Sequence, residues 1–169
     1  MSLEFFILII SLIISISALI LTIAKFWKYI KLTKSSFAIP IVINMFNEFR
    51  SDDFKKRIKL IREELPEGDP SNSGFLDLDD DMREDVRYVS HFFDNLGIFV
   101  HHGLIDEKII IGFMGDNILE LWKKLKPYIQ NEKDKRNLEN YQAYFQELVY
   151  QIQKNPPENI RDNLHKLLS

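Results

Sequence analysis

No cysteine occurs among the 169 residues. That absence excludes a disulfide scaffold, thiolate chemistry and any zinc site built on sulfur. A second absence is local: residues 5–24 contain no Asp, Glu, Lys, Arg, Asn, Gln or His, and no Lys or Arg precedes them. Walker, GxGxxG, HExxH and GxSxG motifs are missing too, so the common nucleotide, zinc-protease and hydrolase signatures are not found. No cofactor is expected and no catalytic residue is assigned; a non-enzymatic protein is favoured over an enzyme. The length suits one domain with an appendage and is too short for two full domains.

What the apolar run does contain is FFILIISLIISISALILTIA, Phe5 to Ala24. Twenty helical residues reach about 30 Å, the thickness of a bilayer's hydrocarbon core. A soluble amphipathic helix of this length would show a polar stripe, whereas apolar residues here face all round. The remaining chain is too small to wrap it as a core helix. A cleaved signal peptide would carry a basic start and a small-residue cleavage site, and neither is present. An uncleaved transmembrane anchor is expected, with the bilayer as partner. Lys25, Lys28, Lys31 and Lys34 follow the run, with Trp27 and Tyr29 among them. By the positive-inside rule this collar places the N-terminus outside and the rest in the cytoplasm, with the aromatic rings at headgroup level. Within the span, Ser11, Ser15, Ala18 and Thr22 fall at spacings of 4, 3 and 4 on one face. Small residues permit close helix approach, which would make the protein a homo-oligomer. The alternative is that each hydroxyl bonds back to its own helix.

Residues 1–34 form the anchor and collar, and 35–169 a separate domain. The first part holds four lysines and Glu4, leaving 18 basic and 24 acidic residues in the second, a net charge of −6 against −3 overall. An acidic domain without a basic cluster excludes nucleic acid as a partner.

The spacings in 35–169 predict an all-α bundle of about five to six helices. Pro40 suits a first helical turn before Val42, Phe46 and Phe49. Ser51 caps a helix carrying Phe54, Ile58, Ile61 and Leu65. Pro66 to Gly74 reads as loop. Met82, Val86, Val89, Phe93, Leu96 and Val100 form the cleanest stripe, ended by Gly103. Asp106 caps a short element interrupted by Gly112 and Gly115; Lys108 to Phe113 is apolar enough to compete as a strand. Ile118, Trp122, Leu125 and Ile129 form a further stripe, and Leu138, Tyr141, Phe145, Leu148 and Ile152 another, stopped by Pro156 and Pro157. A last short helix is expected at 158–168.

Two polar constellations stand out. Asp69, Ser71, Ser73, Asp77 and Asp80 fall at spacings similar to an EF-hand calcium loop, with Gly74 at its turn. Pro70, and Asp80 in place of a bidentate Glu, count against it; a polar loop whose Asp79–Asp81 favour the next helix start is the simpler reading. The second is His91, Asp94, Asn95, His101 and His102, with Asp106 and Glu107 following. Asp94 lies one turn from His91 and could orient its ring. His91 and His102 share a face about 16 Å apart, too far to bind one ion. Histidines that help to end a helix are the simpler reading.

Val89-Ser90-His91-Phe92-Phe93-Asp94-Asn95-Leu96-Gly97-Ile98, His102-Gly103-Leu104-Ile105-Asp106, Gly115-Asp116, Leu121-Trp122 and Leu125-Lys126-Pro127-Tyr128-Ile129 carry a resemblance, as does Phe46-Asn47-Glu48-Phe49-Arg50 upstream. Over roughly residues 38–150 the chain resembles a bacterial family known as domain of unknown function 4760. The resemblance implies a short, helical protein with an N-terminal span in a bacterial cytoplasmic (inner) membrane, and it carries over no catalytic residue. The expected function is a membrane-tethered interaction or regulatory domain acting on an unidentified protein partner. One alternative is a membrane-acting effector, for example in anti-phage defence, assembling through its span. Another is a weak enzyme or calcium-responsive module.

Overall fold

The computed structural model describes residues 3–67 and 74–160, with side chains 3–6, 28 and 30–38 excepted. The fold is all-α: α1 (Leu3–Arg50), α2 (Asp52–Glu64), a single 3₁₀ turn (Phe75–Asp77), α3 (Asp80–His101), α4 (Glu107–Arg136) and α5 (Ala143–Lys154). Two compact units result, Met1–Ile41 and Val42–Ser169.

In the first unit, Ile7–Trp27 is long and apolar enough to cross a membrane, and none of it is buried. Ser15, Ser17 and Thr22 donate their hydroxyl protons to the carbonyls of Ser11, Ile13 and Ala18 at 2.8–2.9 Å. Pro40 lies inside α1 instead of opening a new helix. Ser35 to Ile39 hold no Gly or Pro, so nothing in the sequence stops the helix before it, and a proline removes only one internal bond.

The second unit closes around one apolar core. Phe54, Ile58 and Ile61 of α2 meet Val86, Val89, Phe93 and Leu96 of α3, while Ile110, Ile118, Leu121 and Leu125 of α4 and Phe145, Leu148 and Ile152 of α5 complete it. Phe145 links three helices: its ring lies 5.3 Å from Phe93 and 4.9 Å from Trp122. The helix starts follow the capping chemistry. Ser51 accepts from Phe54 N–H at 3.1 Å, Asp79 from Met82 N–H at 2.9 Å and Asp106 from Lys108 N–H at 2.9 Å. Gly103, at φ +64°, ends the turn after α3.

Two further expectations about helix continuity are overturned. Gly112 and Gly115 do not interrupt α4, which runs unbroken for 30 residues and makes Lys108–Phe113 helical. Gly115 serves packing: a Cβ there would lie 2.7 Å from Pro157 Cγ. The stripe from Leu138 to Ile152 is not one helix either. Asn137 and Gln142, both left-handed (φ 52° and 55°), bracket a turn before α5 begins. Leu138 is exposed as a consequence. Residues 157–160 are helical, and the remainder of the helix expected at 158–168 lies outside the described residues.

Around the turn Phe75–Asp77, Arg83 of α3 donates to the Phe75 carbonyl at 2.7 Å and the Leu78 carbonyl at 2.6 Å. Tyr128 O–H donates to the Pro66 carbonyl at 3.0 Å, securing the exit of α2 on α4. These side-chain donors help to satisfy the backbone oxygens of the turn and of the exit from α2.

Candidate functional site

The polar group on α3 is split among separate partners. His91 is exposed, and its Nδ1 lies 3.2 Å from Gln142 Nε2, an amide that also lies 3.5 Å from Ser90 Oγ. Asp94 Oδ1 accepts from Phe145 N–H at 2.9 Å, so its carboxylate holds the start of α5. His101 Nδ1 lies 2.9 Å from Glu147 Oε2, and the His102 ring stands edge-on to His101 at 5.0 Å. Asp106 caps α4. Asn95 is exposed and Glu107 half-buried. These positions join α3 to α5 and start α4.

Of the acidic loop, Asp69, Ser71 and Ser73 lie outside the described residues. Asp77 Oδ2 accepts from Gly74 N–H at 2.8 Å and faces Lys135 Nζ at 3.8 Å. Asp80 pairs with Arg83 at 2.8 Å. Among the described residues no three His, Asp or Glu side chains form a group that could hold a metal ion.

The span residues Ser11, Ser15, Ala18 and Thr22 are exposed, as are Lys25, Trp27 and Tyr29. The Ser15 and Thr22 hydroxyl protons are engaged within the helix, donating to the Ser11 and Ala18 carbonyls. The side chains of Lys28, Lys31 and Lys34 lie outside the described ones.

A more connected polar network joins the end of α1 to α2 and α3. Tyr88 O–H donates to Glu48 Oε1 in a short bond. The Arg57 guanidinium lies over the Tyr88 ring, 4.7 Å from its centroid, and pairs with Asp53 at 2.8 Å and with Asp85. The hydrogen bond to Glu48 holds the Tyr88 phenol above its usual range, and burial adds to the shift. Hydrogen bonding to Asp53 raises Arg57, which is the direction of a cation fixed among carboxylates. The adjoining cleft is lined by Asp53, Lys56, Arg57, Leu60, Asp81, Glu84 and Asp85.

The model of a family described as domain of unknown function (DUF4760) matches residues 9–152. The chain belongs to this family. The DUF4760 match begins inside the apolar segment and ends at Ile152, a buried residue of α5, so it takes in both units. It thus extends past the range suggested by the sequence resemblance. No curated protein and no solved structure matches the chain.

Sequence spacing missed the connected set Glu48, Arg57 and Tyr88, and separately Gln142, which meets Ser90 and His91. Glu48 lay within the Phe46–Arg50 stretch of the DUF4760 resemblance, which is the one signal that marked it. Arg57 and Tyr88 sit on polar faces of otherwise ordinary amphipathic helices. Gln142 occupies a position that the apolar stripe assigned to a helix.

Proposed function

We propose that this DUF4760 protein is a single-pass membrane protein whose acidic helical domain works in the cytoplasm as an interaction or regulatory module. One observation carries the reading: Ile7–Trp27 is fully exposed, while the second unit has a closed core of its own. An apolar segment of about 30 Å that no protein surface covers is stable in lipid and costly in water. The four-lysine collar orients the protein with its N-terminus outside. A domain of net charge −6 is repelled by the anionic inner leaflet beneath which the collar holds it. Asp79 and Asp106 cap helices, and Asp94 and His101 tie α3 to α5, structural roles that favour recognition over chemistry.

Fractionation tests the reading. The protein should stay with membranes through alkaline carbonate washing, leave them only in detergent, and keep the full 20.0 kDa mass. Release by carbonate, or a mass shortened by loss of the apolar segment, would overturn the anchor. Mild-detergent affinity capture should then recover a specific protein partner; a strictly monomeric, partner-free protein would contradict the interaction role.

A further inference from the structure

The second unit's core takes no buried residue from α1: among the described residues it is built from α2 through α5, the 3₁₀ turn and their connections. The last two turns of α1, Val42–Arg50, form an outer layer instead. Val42, Met45, Phe46 and Phe49 are only partly buried against that core. Phe49 lies 5.7 Å from Phe54, 6.4 Å from Phe92, 6.5 Å from Phe93 and 5.8 Å from Phe113, measured between ring centroids. Phe46 meets Phe113 edge-on at 4.9 Å, and Arg50 lies 4.8 Å over the same ring. A side chain–side chain hydrogen bond, Tyr88 to Glu48, fastens this layer to α3.

We propose that Val42–Arg50 is a strap that can leave the domain while α2 to α5 stay packed on one another, and that the Tyr88–Glu48 bond is its latch. Ring-edge contacts are individually weak and adjustable. A hydrogen bond to a carboxylate is directional and stronger than a neutral one. Release would uncover the aromatic face formed by Phe54, Phe92, Phe93 and Phe113, giving the domain a closed state and an open state. Low-stability outer layers of this kind open below the free energy of global unfolding. The proposal concerns the second unit alone and holds whether or not Ile7–Trp27 crosses a membrane.

The absence of native cysteine allows a direct test on the full chain in detergent. Met45→Cys reports the strap, and Ser90→Cys, at a fully buried position in α3, reports global opening. A polymer-tagged maleimide too bulky to reach a half-buried thiol is the probe. Labelling at position 45 should be much faster than at 90. Adding Tyr88→Phe should accelerate position 45 by about tenfold and leave 90 unchanged. Equal rates at the two positions would overturn the strap, as would equal acceleration of both by Tyr88→Phe. An unchanged rate at 45 on losing the phenol would overturn the latch.

Discussion

Gly97 of α3 lies directly beneath the backbone of Tyr144 in α5: a Cβ at position 97 would stand 2.3 Å from the Tyr144 carbonyl oxygen and 2.6 Å from its carbon. Backbone cannot swing aside as a side-chain tip can, so the separation of α3 and α5 is set by the missing methyl. Gly97→Ala should therefore destabilise the protein by about 2 kcal/mol or more despite the better helix propensity of alanine. Urea unfolding of the detergent-solubilised chain measures it. A variant as stable as the parent would mean that the two helices separate freely at this point.

The two glycines of α4 should respond with opposite sign. At Gly115 a Cβ meets Pro157 Cγ at 2.7 Å, whereas at Gly112 the nearest atom is Ile160 Cγ2 at 3.4 Å. Gly115→Ala should cost about 1–3 kcal/mol, because the proline ring is stiff. Gly112→Ala should be neutral or stabilising by up to about 1 kcal/mol. Thermal unfolding of both variants, run side by side, checks the contrast; losses of equal size would show that the packing at Pro157 is not decisive.

Both glycines also show where sequence reading stops. Their backbone cost inside a helix is visible locally and suggested an interruption, while the proline packed on Gly115 lies 42 positions later and is met only in three dimensions. Helix starts at Ser51 and Asp106 were legible because a cap acts within three residues. The stripes of α2 and α3 were legible because each repeats over several turns. The α5 stripe misled over its first positions: Leu138 and Tyr141 keep helical spacing, yet they lie in a turn bracketed by left-handed residues at 137 and 142. The His91–Asp94 spacing was equally ambiguous. One helical turn permits the two to meet, and each instead found a partner more than 50 residues away.

Asp94 and His91 should accordingly differ in stability effect. Asp94→Ala removes the acceptor for Phe145 N–H at the start of α5, a position short of helical partners, and should cost about 1–2 kcal/mol. His91→Ala, at an exposed ring, should cost less than about 1 kcal/mol. Chemical denaturation of the two variants distinguishes them, and a larger loss for His91 would reverse their roles.

Three tyrosines should ionise late. The bond to Glu48 raises Tyr88 above 10.0, and burial raises Tyr128 and Tyr141. A phenol whose folded pKa lies above its unfolded one stabilises the protein fully below about pH 10, and that contribution is lost as pH rises through the folded value. Phenolate absorbance should show groups ionising above the usual phenol range, with one late group fewer in Tyr88→Phe. If the phenol lost in Tyr88→Phe is instead one that ionises at about 10.0, the Glu48 bond is contradicted.

Membrane topology decides whether the helical domain is held in the cytoplasm by an N-terminal span. Single cysteines introduced as Ser2→Cys and Ser169→Cys in the cysteine-free chain can be probed in intact spheroplasts with a membrane-impermeant maleimide. The basic collar predicts labelling at position 2 before lysis and at position 169 only after it. Labelling of position 169 in intact spheroplasts, or recovery of both variants in the soluble fraction, would contradict that arrangement.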